Sequence, residues 1–257
     1  MVKVKSPDDS EVIIQKLPSD MGIHRNSRKG TLNASEKILE GLDIGKKVLV
    51  DEVFPNEFDL EETHDRMYEN TVELAQYERP IISLGGDHSV SYPVIKALKE
   101  KNPGMKLVWL DAHLDLKEKV DDYVSHDVVV RQLVEEGLFT PGEIYFVGVT
   151  CIDHDEQNFL EEHDFNIYRP DELSKFIGEY QSNDSCYLSV DIDALSEDQA
   201  PGTGYTDGQM SLEQVKKTIE NLQVSHADLV EVAPSLDENR KTVNNARKIL
   251  KALIRRV

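Results

Sequence analysis

Cysteine is scarce in this sequence, and its scarcity excludes two kinds of protein. Only Cys151 and Cys186 are present, and they form no CxxC pair, so we expect neither a disulfide framework nor a cysteine zinc site. We interpret both thiols as reduced. No run of about 18 apolar residues occurs, so no membrane span is expected. The first residues, "MVKVKSPDDSEVIIQKL", lack the apolar stretch of a secretory signal, which favours a cytoplasmic protein.

Basic residues are outnumbered by acidic ones, and the resulting negative charge limits which classes of partner can bind. The chain has 29 Lys and Arg against 49 Asp and Glu, a formal net charge of -20. Such a surface repels nucleic acids and anionic membranes and attracts cations. We therefore expect no nucleic-acid or membrane partner, and a small cationic substrate is favoured.

The order of apolar and charged segments predicts an α/β fold. The 257 residues contain no Gly/Ser linker and no step in composition, so we expect one domain over residues 1–257. Predicted strands span Lys47–Val53, Pro80–Leu84, Lys106–Leu110, Ile144–Val149, Phe165–Tyr168, Cys186–Val190 and Asp228–Val232. Predicted helices span Asn33–Gly41, Leu60–Tyr77, Ser91–Glu100, Val128–Glu136, Asp171–Glu179, Ser211–Leu222 and Asn239–Arg255. This alternation is typical of a mostly parallel sheet with helices on both faces.

Four predicted strands are followed by acidic or imidazole side chains. The segments after them read "GGDHS", "DAHLD", "DIDAL" and "EVAPS". In open α/β sheets, ligands bind beyond the carboxyl ends of the strands, where these loops converge. We therefore expect the four segments to meet at one edge of the sheet.

Three of these segments carry residues with metal-ligand chemistry. In "WLDAHLD", strand alternation would place Asp111, His113 and Asp115 on one side. The candidate ligands are four carboxylates and two imidazoles: His88, Asp111, His113, Asp115, Asp191 and Asp193. Six ligands without a thiolate exceed the needs of one structural zinc ion. They favour two harder divalent ions such as Mn²⁺, roughly 3.5 Å apart.

These motifs resemble those of the ureohydrolase family, which includes arginase, agmatinase, guanidinobutyrase and formimidoylglutamase. The matching stretches are "SLGGDHSV", "WLDAHLD", "SVDIDALSEDQAPGTG" and "LVEVAPSLD". The resemblance implies a three-layer α-β-α fold around a mostly parallel sheet of about eight strands. It also implies two manganese ions per subunit and a homo-oligomer, a trimer or a hexamer.

The resemblance also assigns roles to individual residues. One Mn²⁺ would be bound by His88, Asp111, Asp115 and Asp191. The other would be bound by Asp111, His113, Asp191 and Asp193, with Asp111 and Asp191 bridging.

Three further assignments concern the hydrolysis of a guanidinium carbon. Two metal ions lower the pKa of a water between them, and Asp115 would accept its hydrogen bond. Glu231 would pair with the substrate guanidinium. His126 would carry a proton to the departing amine. We interpret the remaining histidines as surface residues: His24, His64, His154, His163 and His226.

The chain departs from the arginase pattern at the substrate pocket. Lys117 stands where arginases have an asparagine, and Asp122 stands where they have a serine. Because the arginine-reading set is missing and Asp122 and Asp127 flank His126, the sequence favours agmatine, a guanidine with a distant amine. Arginase, guanidinobutyrase and formimidoylglutamase activities remain alternatives, and Lys117 supports the last of these. A non-catalytic metal-binding protein of the same fold is an alternative of a different class.

Overall fold

The computed structural model describes residues 2–23, 29–120, 122–180 and 185–257, so His24 lies outside the described residues. The described strands are β1 (Val2–Val4), β2 (Val12–Leu17), β3 (Lys47–Glu52), β4 (Ile81–Gly85), β5 (Lys106–Leu110), β6 (Ile144–Val147), β7 (Asn166–Tyr168), β8 (Ser185–Asp191) and β9 (Gln223–Val230). The described helices are α1 (Ala34–Leu39), α2 (Leu60–Ala75), α3 (Ser91–Lys101), α4 (Val129–Glu135), α5 (Gln157–Glu162), α6 (Leu173–Glu179), α7 (Leu212–Asn221) and α8 (Lys241–Arg256). None of these helices is long and apolar enough to cross a membrane.

The strands form one sheet covered by helices on both faces. Its order is β1-β3-β2-β4-β9-β8-β5-β6-β7, and all neighbours are parallel. Alternate strand residues enter opposite layers: Val108 and Leu110 pack with α1, α6, α7 and α8, whereas Leu107 and Trp109 pack with α2, α3, α4 and α5. The predicted three-layer α/β fold is confirmed. The sheet has nine strands rather than about eight, because the short β1 adds to β3 at one edge.

Strand β2 was not predicted, although all six of its residues are buried. Gln15 and Lys16 interrupt its apolar pattern, and polar partners compensate both side chains. The side-chain amide of Gln15 donates to Thr71 Oγ1 at 2.9 Å, and Lys16 Nζ lies 2.7 Å from Glu52 Oε2. Strand β1 and helix α5 were also missed.

The predicted strand Lys106–Leu110 is confirmed with the same bounds. By contrast, β9 begins at Gln223 instead of Asp228, because its polar first residues pair with β8 from Ser185 onward. Pairing along the whole strand outweighs the weak strand preference of "QVSH".

The centre of the sheet determines where the functional residues can meet. Strands β4, β9, β8 and β5 are consecutive neighbours in the sheet. These are the strands that precede "GGDHS", "EVAPS", "DIDAL" and "DAHLD". Their carboxyl ends lie side by side because the pairing is parallel, so the four segments leave the sheet at one edge.

Helix α7 offers a test of local stability. Ser211 is its N-cap, and the Ser211 hydroxyl accepts a hydrogen bond from the backbone amide of Gln214 at 3.2 Å. We predict that Ser211→Ala lowers the free energy of unfolding by about 1 kcal/mol, because an amide at the helix start loses its partner. Urea denaturation measures the change. Ser211→Asp, which keeps a capping oxygen, should retain most of the stability; equal losses in both variants would contradict the capping role.

Candidate metal centre

The loop after β4 places His88 at the carboxyl edge of the sheet. Gly86 lies so close to Ser19 that a Cβ atom would overlap the Ser19 carbonyl. Asp87 then caps a 3-10 turn over His88–Val90 by accepting from the Ser89 amide at 2.9 Å. The His88 side chain is buried, with only 1% of its surface exposed.

The segment "DAHLD" lines the same cavity, but by a different geometry from the one expected. Strand β5 ends at Leu110, so Asp111, His113 and Asp115 lie on irregular backbone. The expected strand alternation is therefore wrong. Asp115 has a φ of 51°, a left-handed conformation that is strained for a residue with a Cβ atom. Its carbonyl accepts from the Val130 amide at 3.1 Å, at the start of α4.

The segment "DID" contributes two further carboxylates. Asp191 is the last residue of β8, and Asp193 lies in the 3-10 turn Ile192–Ala194. The Asp193 amide donates to Asp191 Oδ1 at 2.7 Å. Both side chains are buried, and both line the cavity.

The six candidate ligands form two groups that share one carboxylate. His88 Nδ1 lies 3.1 Å from both Asp111 Oδ2 and Asp191 Oδ2, and 3.3 Å from Asp115 Oδ2. His113 Nδ1 lies 3.1 Å from Asp193 Oδ2 and 3.4 Å from Asp111 Oδ1. Asp111 thus presents one oxygen to each imidazole. The ligand atoms suited to one ion are those of His88, Asp111 and Asp191, and those suited to a second are Asp111, His113 and Asp193.

The close approach of buried carboxylates in this cluster requires bound protons or cations. Burial, followed by repulsion from Asp111, raises the pKa of Asp115 to about 7. Burial and the charges of Asp193 and Asp111 raise the pKa of Asp191 well above its usual range. Burial would also raise the pKa of Asp111, but His113 and His88 hold it below its usual range. Protons or cations must therefore balance the four carboxylates.

The donor atoms fit divalent cations. His88 Nδ1 and Asp111 Oδ2 are buried and make no hydrogen bond within the described residues, although they face each other. Atoms left without a hydrogen bond in this way are expected when both coordinate a common ion. The donor set has oxygen in excess, two imidazoles and no thiolate, which suits Mn²⁺ better than a structural zinc ion.

His126 and Glu231 lie beside the cluster. His126 Nδ1 is 3.7 Å from Glu231 Oε1, and Tyr205 lies nearly parallel to the His126 ring, with ring centroids 6.0 Å apart. Glu231 follows β9 with a φ of 60°, a second strained residue at the cavity. Glu231 Oε1 accepts from the His88 amide at 2.8 Å.

Two hydrogen bonds of Gly22, in the segment after β2, connect the loop at Asp87 with the turn at His126. The Gly22 amide donates to Asp87 Oδ2 at 3.0 Å, and the Gly22 carbonyl accepts from the His126 amide at 3.3 Å. A Cβ atom at Gly22 would overlap Ser89 and Asp87. The loop that carries His88 is therefore tied to the turn that carries His126.

The predicted substrate residues have different positions. Lys117 lines the cavity, with Nζ 2.6 Å from Asp153 Oδ2 and 3.8 Å from Asp127 Oδ2. Asp122 does not line it; it is exposed and borders a separate depression with Phe58 and Lys29. The predicted role of Asp122 therefore lacks a geometric basis, because its side chain is not brought together with the others.

Sequence reasoning missed four residues that also line the cavity: Asp153, Glu156, Tyr205 and Asp207. Asp153 and Glu156 follow β6 in "CIDHDE", so the rule of acidic residues after strands could have found them. Tyr205 and Asp207 lie in a loop without such a signal. The interpretation of His64 as a surface residue was wrong: it is buried on α2 with Nε2 3.2 Å from Ser89 Oγ.

The charge balance of the cluster gives a test of metal binding. We predict that Mn²⁺ at 100 times its dissociation constant stabilises the protein by about 2.7 kcal/mol for each ion bound, because the folded state alone holds the ligands together. Asp191→Asn should remove most of this gain without destabilising the metal-free protein, since one repelling charge is lost. Thermal unfolding with and without Mn²⁺ measures both effects. The exposed Asp164→Asn is the control; an undiminished Mn²⁺ gain in Asp191→Asn would contradict the site.

Comparisons with known proteins agree with this geometry. An agmatinase from Bacillus cereus is 30% identical over 199 residues, covering 74% of this chain and 68% of the agmatinase. The solved structure of a putative agmatinase from Clostridium difficile has a TM-score of 0.85 at 21% identity, covering 98% of this chain and 99% of its own. The structure of formimidoylglutamase from Bacillus subtilis has a TM-score of 0.86 at 21% identity, with 99% and 89% covered. The model of the Arginase family matches residues 12–255, and the chain therefore belongs to this family of ureohydrolases.

Proposed function

We propose that the protein is a manganese-dependent hydrolase that cleaves a C–N bond of a linear guanidino compound and releases urea and an amine. The observation that carries the proposal is the pair of ligand groups joined by Asp111, which presents separate oxygens to His88 and His113. When bound there, two Mn²⁺ ions would lower the pKa of a water between them and so supply a nucleophile at neutral pH.

Glu231 is suited to bind the guanidinium. Its carboxylate lines the cavity beside the ligand groups, and burial followed by the charge of Asp87 raises its pKa well above the usual range. A guanidinium restores the ionised form, because it brings positive charge and paired N–H donors to a buried carboxylate. The planar cation would then lie between Glu231 and the metal ligands.

Asp115 would accept a hydrogen bond from the attacking water, and His126 would donate a proton to the departing nitrogen. Asp115 faces the His88 group and can accept a hydrogen bond from the attacking water, which orients it. His126 Nδ1 lies 3.7 Å from Glu231 Oε1, the oxygen that also accepts from the His88 amide, so His126 would lie near a guanidinium bound by Glu231. An imidazole can donate a proton to that nitrogen near neutral pH.

The far end of the cavity favours a substrate with a second cation. Beyond the metal ligands, His126 and Glu231, the described residues of its wall include one lysine, Lys117, against four acids: Asp127, Asp153, Glu156 and Asp207. A distal ammonium would be attracted by this excess, whereas a carboxylate would be repelled. We therefore propose agmatine as the substrate and putrescine and urea as the products.

One observation favours a second candidate. Lys117 Nζ is itself part of the cavity wall, so it could bind the carboxylate of guanidinobutyrate or formimidoylglutamate if Asp153 released it. A non-catalytic role is disfavoured, because Glu231 and His126 are present in addition to all six ligands. We also propose that residues 1–257 form one cytoplasmic domain that assembles as a homo-oligomer, as the resemblance implies.

A substrate screen tests the proposed function. We predict that the purified protein with Mn²⁺ releases urea from agmatine faster than from arginine, guanidinobutyrate or guanidinopropionate, and does not hydrolyse formimidoylglutamate. Glu231→Gln should lower kcat/KM for agmatine about 10- to 100-fold, because a charged hydrogen bond to the guanidinium is lost. The exposed Glu197→Gln should match the wild type. If no guanidino compound yields urea, the proposed function is wrong.

A second variant separates the two candidate substrates. Lys117→Met removes the only basic side chain of the cavity wall within the described residues. For agmatine we predict a kcat/KM roughly tenfold higher, since Asp127 and Asp153 then attract the amine without competition. For a substrate with a carboxylate the same variant should lower kcat/KM. Lys119→Met, outside the cavity, is the control; a lower value for agmatine would contradict the proposed repulsion between Lys117 and the distal amine.

A further inference from the structure

A buried chain of hydrogen bonds extends from His88 away from the cavity. His88 Nε2 lies 2.8 Å from Ser189 Oγ, and Ser189 Oγ donates to Asp228 Oδ1 at 2.7 Å. On the far side, the Tyr187 hydroxyl donates to Asp228 Oδ2 at 2.7 Å. Ser189, Asp228 and Tyr187 are each 0% exposed, so water does not compete for these bonds.

An ionised Asp228 can only accept hydrogen bonds, and this sets the direction of every bond in the hydrogen-bond chain. Asp228 accepts from the Tyr187 and Ser189 hydroxyls and from the Val190 amide at 3.3 Å. Burial raises the pKa of Asp228, but these donors oppose the shift. Burial and the charge of Asp228 raise the pKa of Tyr187 well above its usual range, so it remains a donor.

The directions of these hydrogen bonds determine which ring nitrogen of His88 is free to bind a metal ion. Ser189 has a single hydroxyl hydrogen, which it gives to Asp228, so its oxygen can only accept from His88 Nε2–H. In a neutral imidazole the lone pair is then on Nδ1, the atom that faces Asp111 and Asp191. Trp109 stacks on the ring at 3.9 Å and 6°, which fixes its plane. Hydrogen bonding and stacking together aim Nδ1 at the ligand group.

Among the described residues, the other imidazole, His113, has no comparable hydrogen-bond partner. His113 Nε2 lies 3.7 Å from Asp207 Oδ2, beyond hydrogen-bond distance, and the Asp207 side chain is 57% exposed. Tyr205 contacts the His113 ring edge-on, with centroids 5.2 Å apart. The two ligand groups thus differ in how firmly their histidines are held.

We propose that Ser189 and Asp228 are positioning residues that hold His88 with Nδ1 free, and so set the metal affinity of the His88 group separately from that of the His113 group. The proposal rests on the metal centre that the proposed function requires. Partners behind a metal-binding histidine typically change affinity 10- to 100-fold when removed. The Ser189–Asp228 hydrogen bonds contact His88 and not His113. Removing them should therefore lower the affinity for one ion and leave the affinity for the other unchanged.

The experiment is a Mn²⁺ titration of the metal-free full-length protein, without substrate, followed by isothermal calorimetry and by the electron paramagnetic resonance signal of free Mn²⁺. The wild type should bind two ions. Ser189→Ala should weaken one binding event 10- to 100-fold and leave the other within a factor of about 3. Asp228→Ala should do the same, because the Ser189 hydroxyl then loses its acceptor and can donate to His88 Nε2 instead.

Two matched variants serve as controls. Tyr187→Phe removes a donor to the far oxygen of Asp228 and leaves the Ser189 bond in place, so both affinities should stay within a factor of about 3 of the wild type. Ser225→Ala removes a hydroxyl at the other end of β9, where it donates to the Cys186 carbonyl. Ser189→Thr, which keeps the hydroxyl, should restore the affinity lost in Ser189→Ala. Thermal unfolding of each metal-free variant establishes that it is folded.

Each outcome decides the proposal. Wild-type affinities in Ser189→Ala and Asp228→Ala, or equal weakening of both ions, would overturn the positioning role and leave the proposed function standing. Two ions bound by the wild type without urea release from any guanidino compound would overturn the proposed function alone. A wild type that binds no Mn²⁺ would overturn both.

Discussion

The mutual repulsion of four buried carboxylates is the constraint on which the site depends. Asp111, Asp115, Asp191 and Asp193 are each less than a tenth exposed, and in that environment each disfavours ionisation of the others. Only a rigid frame holds them together, and four adjacent parallel strands provide it. Divalent cations turn this repulsion into binding energy, so the same arrangement that destabilises the empty site makes it selective for highly charged ions.

Much of the fold followed from patterns that burial imposes on the sequence. Apolar runs bounded by charged helices located seven of the nine strands, because strands covered on both faces have few polar residues. The missed β2 breaks this rule at Gln15 and Lys16, whose partners come from α2, β3 and α1. Such compensation depends on distant residues, so local sequence cannot indicate it.

The residues of the candidate site were predicted from the sequence more accurately than their geometry was. All six candidate ligands line one cavity, because parallel strands end at a common edge. The reason expected for Asp115 was wrong, since its left-handed backbone and not strand alternation directs it. Asp122 was placed by its distance from His126 along the chain, which does not determine where a loop side chain points. The Ser189–Asp228 chain escaped notice because its residues are buried behind the site and carry no motif.

The order of the strands has a consequence for how the protein acquires its ions. The four central strands come from widely separated parts of the chain, since β4 ends at Gly85 and β9 begins at Gln223. During synthesis the ligand near the start, His88, therefore waits until Asp193 has emerged and β8 has paired with β5. Neither ligand group exists as a local segment that could capture an ion on the ribosome. Metal ions can therefore bind only after the strands that carry these ligands have assembled, so loading follows folding.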